Sequence, residues 1–194
     1  MAKSVFRFLS REPDTVDLVG AHHVLRLPRA SDYAQWYRLR SDSRAFLTPW
    51  EPVWAADDLT ESAFRRRVLR NQQEYSSGQA VSLLIFAREG GVLLGGLTIG
   101  YIRRGSAQSC MIGYWMGQMH AGKGHMLAAL NLAIPYIFSV LQLHRIEAAC
   151  IPDNERSIRV LEKAGFQREG YAREYLKING AWRDHIMFSL LNTR

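Results

Sequence analysis

Residues 107–151 restrict the fold more than any other part of the chain. An apolar strand (107–116) runs into a glycine-containing loop, then the longest helical segment (124–141), then a second apolar strand (143–151). Strand, helix and strand in that order make a crossover that sets two parallel strands in one sheet. On both sides the turn signals are those of antiparallel hairpins. Glu89-Gly90-Gly91 joins strands 80–88 and 92–103, and Gly105-Ser106 joins 92–103 to 107–116. Asn179-Gly180, the strongest two-residue hairpin signal in the chain, joins 167–178 to 181–191. A crossover flanked by hairpins predicts an α+β arrangement: a mixed, mostly antiparallel twisted sheet with helices on both faces.

The remaining segments complete the order β-α-α-β-β-β-α-β-α-β-β. Residues 22–28 read as the first strand, and Ser31-Asp32 offers an N-cap to a helix whose face carries Tyr33, Trp36, Tyr37 and Leu39. In FLTPWEP, Pro49 and Pro52 block a helix around Trp50 and Glu51. Residues 57–77 are helical again with Gly78 as the stop, and Asp153 or Asn154 caps a short helix ending at Gly165. Pro135 inside the long helix is a defect of about 3 kcal/mol unless a kink relieves it. With 194 residues and no repeat or low-complexity linker, the expectation is an N-terminal extension over 1–20 and a single domain over 21–194.

Composition narrows the class. No run of about 18 apolar residues occurs, and the first twenty residues interleave charge with apolar side chains, so the expectation is a soluble cytoplasmic protein without a membrane partner. The two cysteines, Cys110 and Cys150, sit in strand-like apolar segments and read as small core hydrophobes. Six histidines without ligand spacing predict no metal site. The formal net charge of +7 favours anionic partners, whether a cofactor phosphate, an acidic peptide or RNA. Its densest cluster, Arg65, Arg66, Arg67 and Arg70, lies on a helix where a solvated face is the default.

The chemistry concentrates in IGYWMGQMHAGKGHM, residues 112–126. Backbone amides of a loop that opens a helix point at whatever occupies the helix N-terminus, where the macrodipole favours anions, so a phosphate or diphosphate is the natural ligand. Gly122 and Gly124, lacking a β-carbon, permit close approach of the backbone. Gly117 to Lys123 fits the first seven positions of a nucleotide P-loop, but the eighth is Gly124, where magnesium requires a hydroxyl. A purely structural glycine turn is the other alternative.

The same loop resembles the diphosphate loop of the Gcn5-related N-acetyltransferases, Q/R-x-x-G-x-G/A, with Gly124 in place and departures at Ala121 and Met126. Together with FLTPWEP, RGSAQSCMIGY, LHRIEA and PDNERSIRVLEKAGFQREGYAREYLKINGAWRDH, the stretch is similar to the bacterial ribosomal-protein-alanine N-acetyltransferases of the RimJ type, from about residue 22 to the C-terminus. The resemblance implies a GNAT-like sheet, acetyl-CoA as cofactor, and direct transfer to a protein N-terminus, with an N-terminal alanine of a ribosomal protein as acceptor. It implies that the pantetheine arm pairs with Gly113, Tyr114, Trp115 and Met116, and that the diphosphate sits on Ala121, Gly122, Lys123, Gly124, His125 and Met126. It also implies that Asn154 contacts the coenzyme arm and that Ser157 protonates the departing thiolate.

Glu174 and Glu51 compete as general base, directly or through water. Tyr171 is a weaker alternative to Ser157 as the acid. Trp50, Glu51 and Tyr37 line the expected acceptor mouth, with Trp36 assigned to the core. The alternatives are a small-amine N-acetyltransferase, and a non-catalytic ribosome- or RNA-binding protein of the same fold, either monomeric or a homodimer.

Overall fold

The computed structural model describes residues 16–193, so residues 1–15 of the expected extension lie outside it. Strands β1 (Asp17–Val19) and β2 (His23–Arg26) precede three helices, α1 (Tyr33–Asp42), α2 (Arg44–Leu47) and α3 (Glu61–Ser76). Then come β3 (Val81–Ala87), β4 (Leu93–Arg103), β5 (Ser109–Met116), α4 (His125–Pro135), β6 (Arg145–Cys150), α5 (Glu155–Lys163), β7 (Gln167–Ile178) and β8 (Ala181–Leu191). They form one eight-stranded sheet in the order β1-β2-β3-β4-β5-β6-β8-β7. Among the described strands only β5 and β6, joined by the α4 crossover, run parallel. The fold is the mixed α+β sheet expected, with one strand more at its edge.

That strand, β1, has no counterpart in the sequence reading because three residues are too few to display alternation. Leu18 stands opposite Leu25, and Val16 is buried beside it. Strand β3 shows how the two layers are made. Val81, Leu83 and Ile85 enter the core beneath α4 and α5, while Leu84 and Phe86 face a second cluster with Trp36 of α1 and Phe64 and Val68 of α3. Period-two alternation in a strand covered on both sides makes every position apolar.

Three local expectations change. Asp32 stands at the N-cap of α1 but its side chain makes no cap bond there. Its carboxylate accepts the Arg29 amide at 2.7 Å and pairs with Arg26 at 2.6 Å, holding a short 3₁₀ turn over residues 30–32. Helix α3 starts at Glu61, where the Thr60 hydroxyl accepts the Ala63 amide, four residues later than the helical reading over 57–77. The long helix is α-helical only to Pro135. A π turn, Tyr136–Val140, follows, with the Leu141 amide on the Tyr136 carbonyl at 3.0 Å. The widened turn takes up the register that the proline breaks. At the other end of the sheet, Asn179 and Gly180 both adopt positive φ, 45° and 82°, as a type I′ hairpin requires.

Candidate active site

Parallel pairing between β5 and β6 covers Ser109–Arg145, Cys110–Ile146 and Met111–Glu147 and then stops. Beyond it β6 continues against β8 as far as Cys150–Ile186, and β5 continues against β4 as far as Met116–Gly95. The edge of Ile112 to Met116 that faces β6 therefore carries backbone donors and acceptors without a strand to meet them. Tyr114 packs on the α4/α5 side of this opening and Trp115 on the α1/α3 side. On the Trp115 face Gly113 presents no side chain, and the space where its β-carbon would stand is empty to 4 Å.

The loop after β5 is anchored from outside. The Gly117 amide donates to the Leu94 carbonyl at 2.9 Å, and the Gln118 amide to the Ser43 hydroxyl at 2.9 Å. Gly122 and Gly124 follow at φ +76° and +82°, left-handed conformations in which neither would bring a β-carbon against a neighbour. Gly124 is the N-cap of α4, and the Ala128 amide is the first to bond back to it, at 3.0 Å. The amides of His125, Met126 and Leu127 thus have no carbonyl behind them within the helix and point to the anion position.

The expected coenzyme residues divide accordingly. The Ala121 amide is already spent on the Gln118 carbonyl at 3.2 Å. The Met126 side chain is buried in the core. The His125 ring turns toward β2, its Nδ1 2.9 Å from Nε2 of His23. One imidazole donates and the other accepts, and burial lowers the His23 pKa below its usual value, with His125 adding to the effect. These residues offer backbone rather than side chains. A diphosphate-bearing coenzyme fits, because the unbonded amides and the clear space over Gly122 and Gly124 are what such a group requires.

On the opposite border of the opening, Asn154 caps α5, its Oδ1 accepting the Ser157 amide at 3.2 Å. The Ser157 hydroxyl is left free for another partner and meets the Tyr114 hydroxyl at 2.7 Å. Burial raises the Tyr114 phenol well above its usual pKa, so it stays protonated. The sequence reading used only the backbone of Tyr114. Cys150 lies beside this pair, its thiol donating to the Asn154 carbonyl at 3.6 Å, and burial raises its pKa too. Tyr171, by contrast, is exposed on β7 and donates to Asp184 at 2.7 Å, away from Ser157.

On the other face a groove of about 560 Å³ is walled by α1, α3 and the sheet, and it reaches Gly113, Tyr114 and Trp115. Glu51 lines it together with Arg40 and Arg67. Glu174 does not. It is exposed on a bulge of β7 at φ +47°, and its amide donates to Asp184 at 2.8 Å. Trp50 closes a half-buried 3₁₀ turn, and Tyr37 is exposed with its ring 5.8 Å from Tyr33, so neither is among the groove's lining residues. The basic cluster on α3 is paired. Arg65, Arg66, Arg67 and Arg70 meet Glu61, Asp57, Asp58 and Glu74 at 2.6 to 3.8 Å, so the run is not a free cationic patch. Among the described residues no helix is long and apolar enough to cross a membrane.

Comparison with known proteins shows what the chain resembles. The model of the acetyltransferase (GNAT) domain matches residues 22–167. The probable N-acetyltransferase YjcK of Bacillus subtilis is 40% identical over 175 residues, covering 90% of this chain and 97% of that protein. The [ribosomal protein uS5]-alanine N-acetyltransferase of Escherichia coli is 34% identical over 186 residues, covering 96% and 95%. Among solved structures, Mycobacterium smegmatis RimJ in complex with CoA-disulfide superposes with a TM-score of 0.84 at 34% identity, covering 92% of this chain and 88% of that one.

Proposed function

We propose, from the premise that this chain belongs to the GNAT acetyltransferase family and is an acetyl-CoA-dependent N-acetyltransferase, that its acceptor is the α-amino group of a protein N-terminus, an alanine of a ribosomal protein, met in the cytoplasm. One observation carries the reading. The opening between β5 and β6 is bordered by free amides of α4 and by the Tyr114–Ser157 hydroxyl pair, and a groove on the opposite face leads to it past Gly113.

Acetyl-CoA supplies the thioester, and the residues around it supply position and protons. Amides of the unpaired β5 edge polarise the carbonyl and stabilise the charge that develops on its oxygen. A carbon–nitrogen bond forms as the carbon–sulfur bond breaks, Ser157, held in place by the Tyr114 hydroxyl, gives its proton to the departing sulfur, and Oγ regains one from the water that takes the acceptor nitrogen's proton. The acceptor nitrogen releases its proton to water. An α-amine, with a pKa near 7.7–8.0 against about 10.4 for lysine, is already roughly one-tenth neutral at pH 7, so a dedicated base has little left to do.

Incubation with acetyl-CoA and either Ala-initiated peptides or polyamines, following free thiol, tests the acceptor. Thiol release with the peptides and not with the polyamines is expected, with intersecting kinetic patterns for direct transfer. The reverse preference overturns the reading.

A further inference from the structure

The groove's carboxylate is held more tightly than a surface acid or a mobile base would be. Arg40, on α1 and only 8% exposed, donates through both terminal nitrogens to Glu51, 2.7 Å to Oε1 and 2.7 Å to Oε2. Trp54 Nε1 adds a third bond to Oε2 at 2.7 Å. The guanidinium lies between two indoles, 4.1 Å from the Trp54 ring and 4.8 Å from the Trp115 ring, and its Nε is buried without a partner. The main chain of Glu51 is fixed as well, its carbonyl accepting the Asn179 amide at 2.8 Å from the β7–β8 turn. The Arg40–Glu51 pair thereby joins α1, the loop before α3, strand β5 and the far hairpin.

An ionised carboxylate offers about four lone-pair positions, and three of these are filled. What remains is one site on Oε1. A cationic donor placed there fills the carboxylate's last position with a charge-assisted hydrogen bond. Trp115 carries this arrangement onto the splayed strand beside Gly113, where the groove reaches the opening.

We propose that Arg40 is a positioning residue that holds the Glu51 carboxylate aimed into the groove, and that Glu51 receives the acceptor's α-ammonium rather than serving as the general base. The assignment rests on the acceptor reading above. It makes the groove selective for a cationic leading group: the amine docks charged on Oε1 and loses its proton to water as it advances on the thioester.

The test compares an Ala-initiated peptide with its des-amino analogue, in which the terminal amine is replaced by hydrogen. Calorimetry on the wild-type protein saturated with CoA is expected to give at least about tenfold tighter binding of the amine. Glu51→Gln and Arg40→Met should each erase that preference and raise KM for the peptide about tenfold or more, with kcat changed less than about threefold. Arg40→Lys keeps the charge but not the fork and should restore part of the preference.

The double variant Arg40→Met with Glu51→Leu replaces the pair by apolar groups, so it is expected to fold and to bind both peptides equally. Retained preference for the amine in that variant overturns the proposal. So does a Glu51→Gln enzyme whose kcat falls a hundredfold or more at unchanged KM, since that is the signature of a lost base. Should wild-type enzyme release no thiol with any peptide, the acceptor reading fails. The amine preference in calorimetry still reports on Arg40 and Glu51 independently.

Discussion

Ser157 has two separate duties at the opening, and its atoms divide them. Its amide belongs to the Asn154 cap and its hydroxyl to Tyr114, so truncation to alanine removes the hydroxyl without touching the cap. Ser157→Ala is expected to lower turnover at saturating acetyl-CoA by roughly 10²-fold while the coenzyme Kd moves little, and Tyr114→Phe to lower it by a smaller factor in the same direction. Steady-state kinetics paired with coenzyme titration separates the two effects. Equal turnover in Ser157→Ala would leave Ser157 as a helix-cap residue only.

Individual residues were unevenly legible. The spacing of Asn154 and Ser157 announces a helix cap, whereas their roles toward the coenzyme are what the family resemblance implies. Arg40 does not announce itself, since a charged residue four positions after Trp36 reads as solvated until the tertiary structure buries it between two indoles. Tyr114 needed α5 folded across β5 before its hydroxyl had a partner. Glu51 and Glu174 look alike in sequence, yet only Glu51 lines the groove.

Elements were easier to read than side chains, because turn chemistry is local. Gly78, Gly165 and Asn179-Gly180 end or join their segments at positive φ, as their residue types imply. Strand β1 was missed for its brevity, and the π turn after Pro135 is a compensation that sequence periodicity does not encode. Alanines 129 and 133, fully buried where α4 lies on the sheet, escaped a reading that weighted large side chains.

On the proposed reading, coenzyme binding depends on the start of α4. Gly124→Ala would place a β-carbon at φ +82° with no steric neighbour, so its cost is conformational, about 1–2 kcal/mol, and is borne by the turn that presents the amides. A slightly lowered Tm together with a coenzyme Kd raised about tenfold or more is the expected result, read by thermal unfolding and calorimetry. An unchanged Kd would show that the turn's conformation is not what holds the diphosphate.

At the scale of the whole molecule, the buried thiol of Cys110 sets an alkaline limit. Burial pushes it from about 9 up to about 12, with Glu147 adding to the effect. The folded-state pKa is raised, so its contribution to stability is complete below pH 9 and is lost as the pH rises toward 12. At pH 10.5 the loss is about 2 kcal/mol, or roughly 4–8 °C in Tm for a chain of this size. Tyr136, raised to about 12 by burial, steepens the decline above pH 10. Thermal unfolding at pH 8 and 10.5 checks this, and Cys110→Ala should show a smaller drop between the two.

The overall architecture was legible because a crossover flanked by hairpins admits few sheets, whereas the place where two parallel strands part company was not, since it arises from pairing rather than composition. With three rungs joining β1–β5 to β6–β8, the sheet has a seam along its middle. If the coenzyme threads into that seam as proposed, it acts as a missing rung, tying one half-sheet to the other. Heat tolerance should therefore climb with coenzyme concentration, by about 2.7 kcal/mol, or roughly 5–10 °C, at a hundred times Kd. A melting temperature indifferent to coenzyme would mean that the two halves are already riveted by something other than their shared ligand.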